Sequence, residues 1–153
     1  MKLLIVEDNS FLAEITAELL RSLDQSAHQF EAITVAEDLR TAILCLPEHD
    51  VVLCDGMFPV SPESRHVVED WDVVCHEARR RRIHFVLYSG SVRALDSARE
   101  SNTPAIAKPA SIEEIYAALT HPRLLTQSNG AYGKSPVMAE TQSIARGKHV
   151  QNL

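Results

Sequence analysis

Two rhythms of apolar residues alternate along this chain. The runs "KLLIV" (2–6), "AITV" (32–35), "DVVLC" (50–54), "IHFVLY" (83–88) and "AIA" (105–107) are short and lack clean every-other-residue alternation. That is the pattern of parallel strands covered on both faces. Between them the spacing turns helical. Leu12, Ile15, Leu19 and Leu23 make one stripe, Leu39, Ala42, Ile43 and Leu46 a second, Val67, Trp71, Val74 and Ala78 a third, and Ile112, Ile115 and Leu119 a last. Residues 91–100, with Val92 and Leu95, predict a weaker helix, and Ser111 followed by Glu114 has the capping-box spacing for the final one. The order is (βα)5, which right-handed crossovers wind into a central parallel sheet with helices on both sides.

From Pro122 the pattern dissolves into Ser, Gln, Asn, Gly and Pro with few large apolar residues. The expectation is one domain over residues 1–121 and a flexible extension over 122–153, with a weakly patterned short helix near "VMAETQSIAR". There is no internal repeat.

Composition narrows the class. A chain of 153 residues with 45% hydrophobic content can bury a core of its own. Three cysteines, Cys45, Cys54 and Cys75, are odd in number and form no C-x-x-C pair, which argues against a disulfide framework or a zinc site and for a reducing cytoplasm. No signal-peptide pattern and no run of eighteen apolar residues occurs, so no membrane span is expected. The net charge of -6 is uneven: -9 over residues 1–121 and +3 beyond. An acidic body is a poor surface for nucleic-acid phosphates.

The polar residues at the strand ends carry the chemistry. Glu7 and Asp8 follow the first strand, Asp55 the third, Ser89 the fourth and Lys108 the fifth. In an open parallel sheet ligands bind beyond the carboxyl ends of the strands, where strand order reverses. With the flavodoxin-like order 2-1-3-4-5, strands one and three are neighbours and Asp8 and Asp55 share that crevice. Three carboxylates so close need a hard cation, and an all-oxygen set suits Mg2+. An Asp carboxylate is also a nucleophile toward phosphorus. Phosphoryl transfer rests on positioning and on cations or donors at the equatorial oxygens, roles open to Mg2+, Lys108 and Ser89.

The ordered anchors "IVEDN", "VVLCDGMFP", "VLYSG" and "AIAKP" resemble those of the receiver domains of two-component response regulators, over roughly the first 120 residues. The resemblance implies that Asp55 is the phosphoacceptor, loaded from a phosphohistidine on a sensor histidine kinase or histidine phosphotransfer protein. It implies that Glu7 and Asp8 bind the metal with Asp55, that the main-chain carbonyl of Met57 joins them, and that Ser89 and Lys108 sense the phosphoryl group. One departure concerns the position three before the lysine, where the family carries Tyr or Phe and this chain has Ala105. The aromatic relay through that position is lost, and output is expected through the loop after Ser89 and the face of the fourth helix, fifth strand and fifth helix. A second departure is length: the segment between Pro59 and Ser89 is longer than usual and that between Ser89 and Lys108 shorter.

Singly, each anchor has a plainer reading. Acids fit the start of a helix, Asp-Gly fits a turn, Ser89 fits a turn in "SGS", and most lysines are solvated. The run Arg79–Arg82 fits charge at a helix C-terminus better than a docking patch. "SNGAYGKS" has Ser128 where a phosphate-binding loop needs its first glycine, and His66, Cys75, His76 and His84 lack ligand spacing. Trp71 is expected in the core. The sequence therefore reads as a Mg2+-dependent phosphoacceptor receiver of one domain, not a metabolic enzyme, acting on a downstream protein and leaving a homodimer open. The alternatives are an aspartate-nucleophile phosphohydrolase, which needs a second Asp where Met57 stands, and a receiver-like scaffold independent of phosphate.

Overall fold

The structure, a computed structural model, describes residues 1–121. The readings made above for the extension, its short helix and the "SNGAYGKS" segment lie outside the described residues. Five strands form a parallel sheet: β1 (Lys2–Val6), β2 (Ala32–Ala36), β3 (Val51–Asp55), β6 (His84–Ser89) and β7 (Ala105–Ala107). A two-stranded antiparallel hairpin, β4 (Phe58–Pro59) and β5 (Val67–Val68), lies between β3 and β6 in sequence. The sheet order is β2-β1-β3-β6-β7, all parallel, which is 2-1-3-4-5 when sheet strands alone are counted. The helices are α1 (Ser10–Asp24), α2 (Leu39–Cys45), α3 (Trp71–Arg80), α4 (Val92–Glu100) and α5 (Ile112–Thr120). No helix among the described residues is long and apolar enough to cross a membrane.

Two cores explain why the strands show no alternation. Leu4, Val6, Val52, Cys54, Phe85 and Leu87 pack on one face against Trp71, Val74 and Ala78 of α3 and Ala94 and Ala98 of α4. Leu3, Ile5, Val51, Leu53 and Val86 pack on the other against Ala13, Ala17 and Leu20 of α1 and Ile115, Ala118 and Leu119 of α5. Each face alternates, and the two interleaved read as a continuous apolar run. Trp71 is buried and stacks on Phe85, ring centroids 6.4 Å apart.

Three helical readings are corrected in detail. In α1 the buried positions are Ala13, Thr16, Ala17, Leu20 and Asp24, one residue on from the stripe of Leu12, Ile15, Leu19 and Leu23, all of which stay exposed. The large side chains suggested the inner face, yet small residues let the helix approach the sheet. In α3, Val67 is not on the helical stripe. It pairs with Pro59 in the hairpin, and the helix starts at Trp71 after Asp70. In α4, Ala94 and Ala98 are the buried positions while Val92 is exposed.

Local chemistry fixes the ends. Asn9 Oδ1 accepts from the Leu12 amide at 3.1 Å and opens α1, and Asp38, buried, accepts from both the amide and the hydroxyl of Thr41 to open α2. Ser111 and Glu114 form the reciprocal capping box of α5. The arginine run closes α3: Arg80 and Arg81 pair with Glu77, and Arg79 donates to the Ser101 carbonyl and the Thr103 hydroxyl. Arg82 takes a left-handed turn with φ 61°. The inserted hairpin is tied to α2 by the Arg40 amide, which donates to the Val60 carbonyl.

Candidate functional site

The first residue beyond β1 and the last of β3 point toward the α1/α5 face, because alternation puts Glu7 two residues after Ile5 and Asp55 two after Leu53, both of which pack on that face. Lys108 follows Ile106 in the same sense, and its amide donates to the Ser89 carbonyl at 2.9 Å, continuing the β6/β7 ladder past Ala107. These three side chains meet. Lys108 Nζ lies 3.0 Å from Oε2 of Glu7 and 3.1 Å from Oδ2 of Asp55. Carboxylate oxygens of Glu7, Asp8 and Asp55 lie within 4.8 Å of one another, with Glu7 buried, Asp55 half-buried and Asp8 exposed.

The remaining hydrogen bonds orient the acids. Glu7 Oε1 accepts from the Asn9 amide at 3.3 Å, and Asp55 Oδ1 accepts from the Gly56 amide at 2.6 Å. Burial raises the Glu7 pKa; the bond from Lys108 pulls it back and the negative charge of Asp55 adds to the rise. Burial also works against the Lys108 ammonium, but the hydrogen bond to Glu7 and the charges of Asp55 and Glu7 outweigh it, so its pKa is raised. One ammonium thus pairs with two of the three clustered carboxylates, and negative charge is left over. Behind Asp55, burial pushes the Cys54 thiol well up, and Cys54 Sγ lies 3.2 Å from the Asp55 carbonyl oxygen as a neutral donor. An all-oxygen cluster of this kind, open to solvent on the Asp8 side, fits a hard divalent cation with room for further oxygen ligands.

Ser89, at the end of β6, is buried. Its Oγ accepts from the Ser91 amide at 3.1 Å, and Ser91 in turn caps α4 through the Ala94 amide. A Cβ on Gly56 would collide with the Ser89 Oγ, so glycine here is a matter of close approach. Met57 lies between Gly56 and β4 with an exposed side chain, and Ala105 is half-buried against the α2–α4 side of the core.

Fold comparison places the chain among solved structures. The chain is similar to a response regulator receiver protein from Sinorhizobium medicae WSM419, with TM-score 0.60 and 18% identity over 84% of this chain and 96% of that one. It is similar to the response regulatory domain of protein mrkE from Klebsiella pneumoniae, with TM-score 0.57 and 17% identity over 85% and 98%. It is also similar to the BeF3-activated conformation of SdrG from Pseudomonas melonis Fr1, with TM-score 0.54 and 22% identity over 76% and 91%. The chain has the receiver-domain fold. No protein-family model and no curated protein matches the sequence. At these identities the likeness is one of fold.

Within this receiver fold two features escaped the sequence reading. Tyr88 pairs directly with Asp55 across β3 and β6, and its ring centroid lies 5.0 Å from Lys108 Nζ. Its place immediately before Ser89 was visible, but its register against Asp55 was not. The second is Glu69, at the end of the hairpin, which pairs with Arg93 at 3.3 Å and accepts from Ser91 Oγ at 3.5 Å. The added length of the β3–α3 segment was the only sign of that contact.

Proposed function

We propose that residues 1–121 act as a phosphoacceptor receiver in two-component or phosphorelay signalling. Asp55 takes the phosphoryl group from a phosphohistidine on a histidine kinase or phosphotransfer protein. One observation carries this reading: a partly buried carboxylate, Asp55, stands 3.1 Å from an ammonium and within 4.8 Å of two further carboxylates, at the carboxyl ends of neighbouring strands. An Asp55 oxygen attacks phosphorus, the new O–P bond forms as the P–N bond breaks, and the electron pair leaves on the imidazole nitrogen. Lys108 supplies an ammonium to the phosphoryl oxygens, and Ser89 supplies a hydroxyl.

Glu7, Asp8, Asp55 and the main-chain carbonyl of Met57 would hold Mg2+, which when bound supplies positive charge against the phosphoryl oxygens. The residues themselves fix the acceptor: the Gly56 amide orients one Asp55 oxygen, and Lys108 neutralises the other until a cation and phosphoryl group arrive. With Ala105 in place of the aromatic, the signal leaves through the Ser89–Ser91 loop and α4 toward a downstream protein. The fold's likeness to a BeF3-activated neighbour makes BeF3– the natural phosphoryl mimic.

The test is incubation with acetyl phosphate and Mg2+, read by intact mass. One phosphoryl group should be added, and Asp55→Asn should abolish it. An unlabelled wild-type chain, or labelling that survives Asp55→Asn, overturns the reading. Sustained turnover of small phosphate esters would favour a phosphohydrolase instead.

A further inference from the structure

We propose that Tyr88 is a positioning residue of the phosphoryl site, its ring holding the Lys108 ammonium beside Asp55. The inference rests on the phosphoacceptor reading and deepens it. Tyr88 and Asp55 are direct partners in the β3/β6 ladder, so their side chains leave the sheet on the same face as neighbours. Both line one small cavity, together with Glu7, Ala13 and Thr16. The Lys108 Nζ sits 5.0 Å from the ring centroid, inside the range at which an aromatic quadrupole attracts a cation. The Ala110 amide, 3.5 Å from the Tyr88 hydroxyl, adds a weak tether to the segment that follows Lys108.

The ring differs from the other two partners of Lys108 in one respect: it carries no charge. Glu7 and Asp55 would help hold a divalent cation, whose positive charge would compete with the Lys108 ammonium for these carboxylates. A flexible four-carbon stem would then be free to swing into water. The neutral ring face is not competed for, so it keeps the ammonium near the phosphoryl oxygens when the carboxylates are taken. Tyr88 does not fill the space vacated at Ala105. It packs with the α1/α5 core, whereas Ala105 packs with the other.

The experiment compares Tyr88→Phe and Tyr88→Leu with wild type for the rate of acetyl-phosphate labelling and for Mg2+ affinity. Tyr88→Phe keeps the ring and should label within about threefold of wild type. Tyr88→Leu should label about tenfold more slowly, with Mg2+ affinity changed less than about twofold. A wild-type rate in Tyr88→Leu, or an equal fall in Tyr88→Phe, overturns the role of the ring while leaving the phosphoacceptor reading intact. An unlabelled wild type overturns that reading and this proposal with it. Should Tyr88→Leu fail to fold, the Lys108 Hε resonances of Mg2+-bound wild type decide: ring-current shifts upfield support the proposal, and free-lysine values overturn it.

Discussion

Lys108 Nζ stands 3.1 Å from Oδ2 of Asp55, so one oxygen of the proposed acceptor is already engaged by an ammonium. A divalent cation held by that carboxylate would compete for the oxygen with this ammonium. Replacing it by an uncharged chain of similar length, Lys108→Met, should tighten Mg2+ binding several-fold and slow labelling by about a hundredfold. Without metal the variant should lose about 1–3 kcal/mol, since partly buried carboxylates are left unpaired, and Mg2+ should restore most of it. Melting curves with and without Mg2+ check this. An unchanged Mg2+ affinity would count against competition at the site.

The contact between Gly56 and Ser89 makes a second prediction. Gly56→Ala forces a methyl group into the Ser89 Oγ, and the Ser89 Cβ is only 3.1 Å away. Overpacking of this kind costs about 1–3 kcal/mol. Combining it with Ser89→Ala removes the clashing oxygen, so the double variant should recover part of the loss. A double-mutant cycle in urea measures the coupling, and strict additivity would contradict the proposed clash.

On the opposite edge of the α1/α5 layer, Tyr116 donates to Oδ1 of buried Asp24 at 2.7 Å, and the Gln29 and Phe30 amides donate to the same carboxylate. Burial works against the Asp24 carboxylate, but these donors outweigh it and lower its pKa. For Tyr116, burial followed by the bond to Asp24 raises the phenol to about 12. The signs differ. The Asp24 contribution is full above its ordinary value near 3.8 and is lost as pH falls through its lower folded value. The Tyr116 contribution is full below about 10 and is lost as pH rises toward about 12. Tyr116→Phe should cost about 1–2 kcal/mol near neutral pH and flatten the alkaline arm of the melting profile. An unchanged alkaline arm in the variant would disprove the link.

How much of this was legible in the sequence depends on whether chain order or register decides it. Chain order puts Glu7, Asp8, Asp55 and Lys108 at strand ends, and once the flavodoxin-like order makes the first and third strands neighbours their meeting follows. Tyr88 was missed because only the Asp55–Tyr88 pairing reveals it. The β4/β5 hairpin was missed because Val67, four residues before Trp71 and seven before Val74, fits a helical stripe, while its two-residue strand is too short to show a period of its own. Asp24 read as one more acid at a helix end. Its burial is set by a tyrosine on α5, which no local pattern connects to it.

The α1 helix gives the last prediction, where pattern and packing part by one residue. Leu19 is 48% exposed and Leu20 0%. Sequence spacing favours Leu19 as the buried member, through Leu12, Ile15 and Leu23, whereas the structure buries Leu20 between Ala13, Ala17 and the strands of the second core. Leu20→Ala should therefore open a cavity and cost about 2–5 kcal/mol, while Leu19→Ala should cost less than about 1. Urea denaturation of the two variants separates the cases. Equal losses would mean that α1 is turned by about one residue and that its exposed row of Phe11, Ile15 and Leu19 is in fact packed inward.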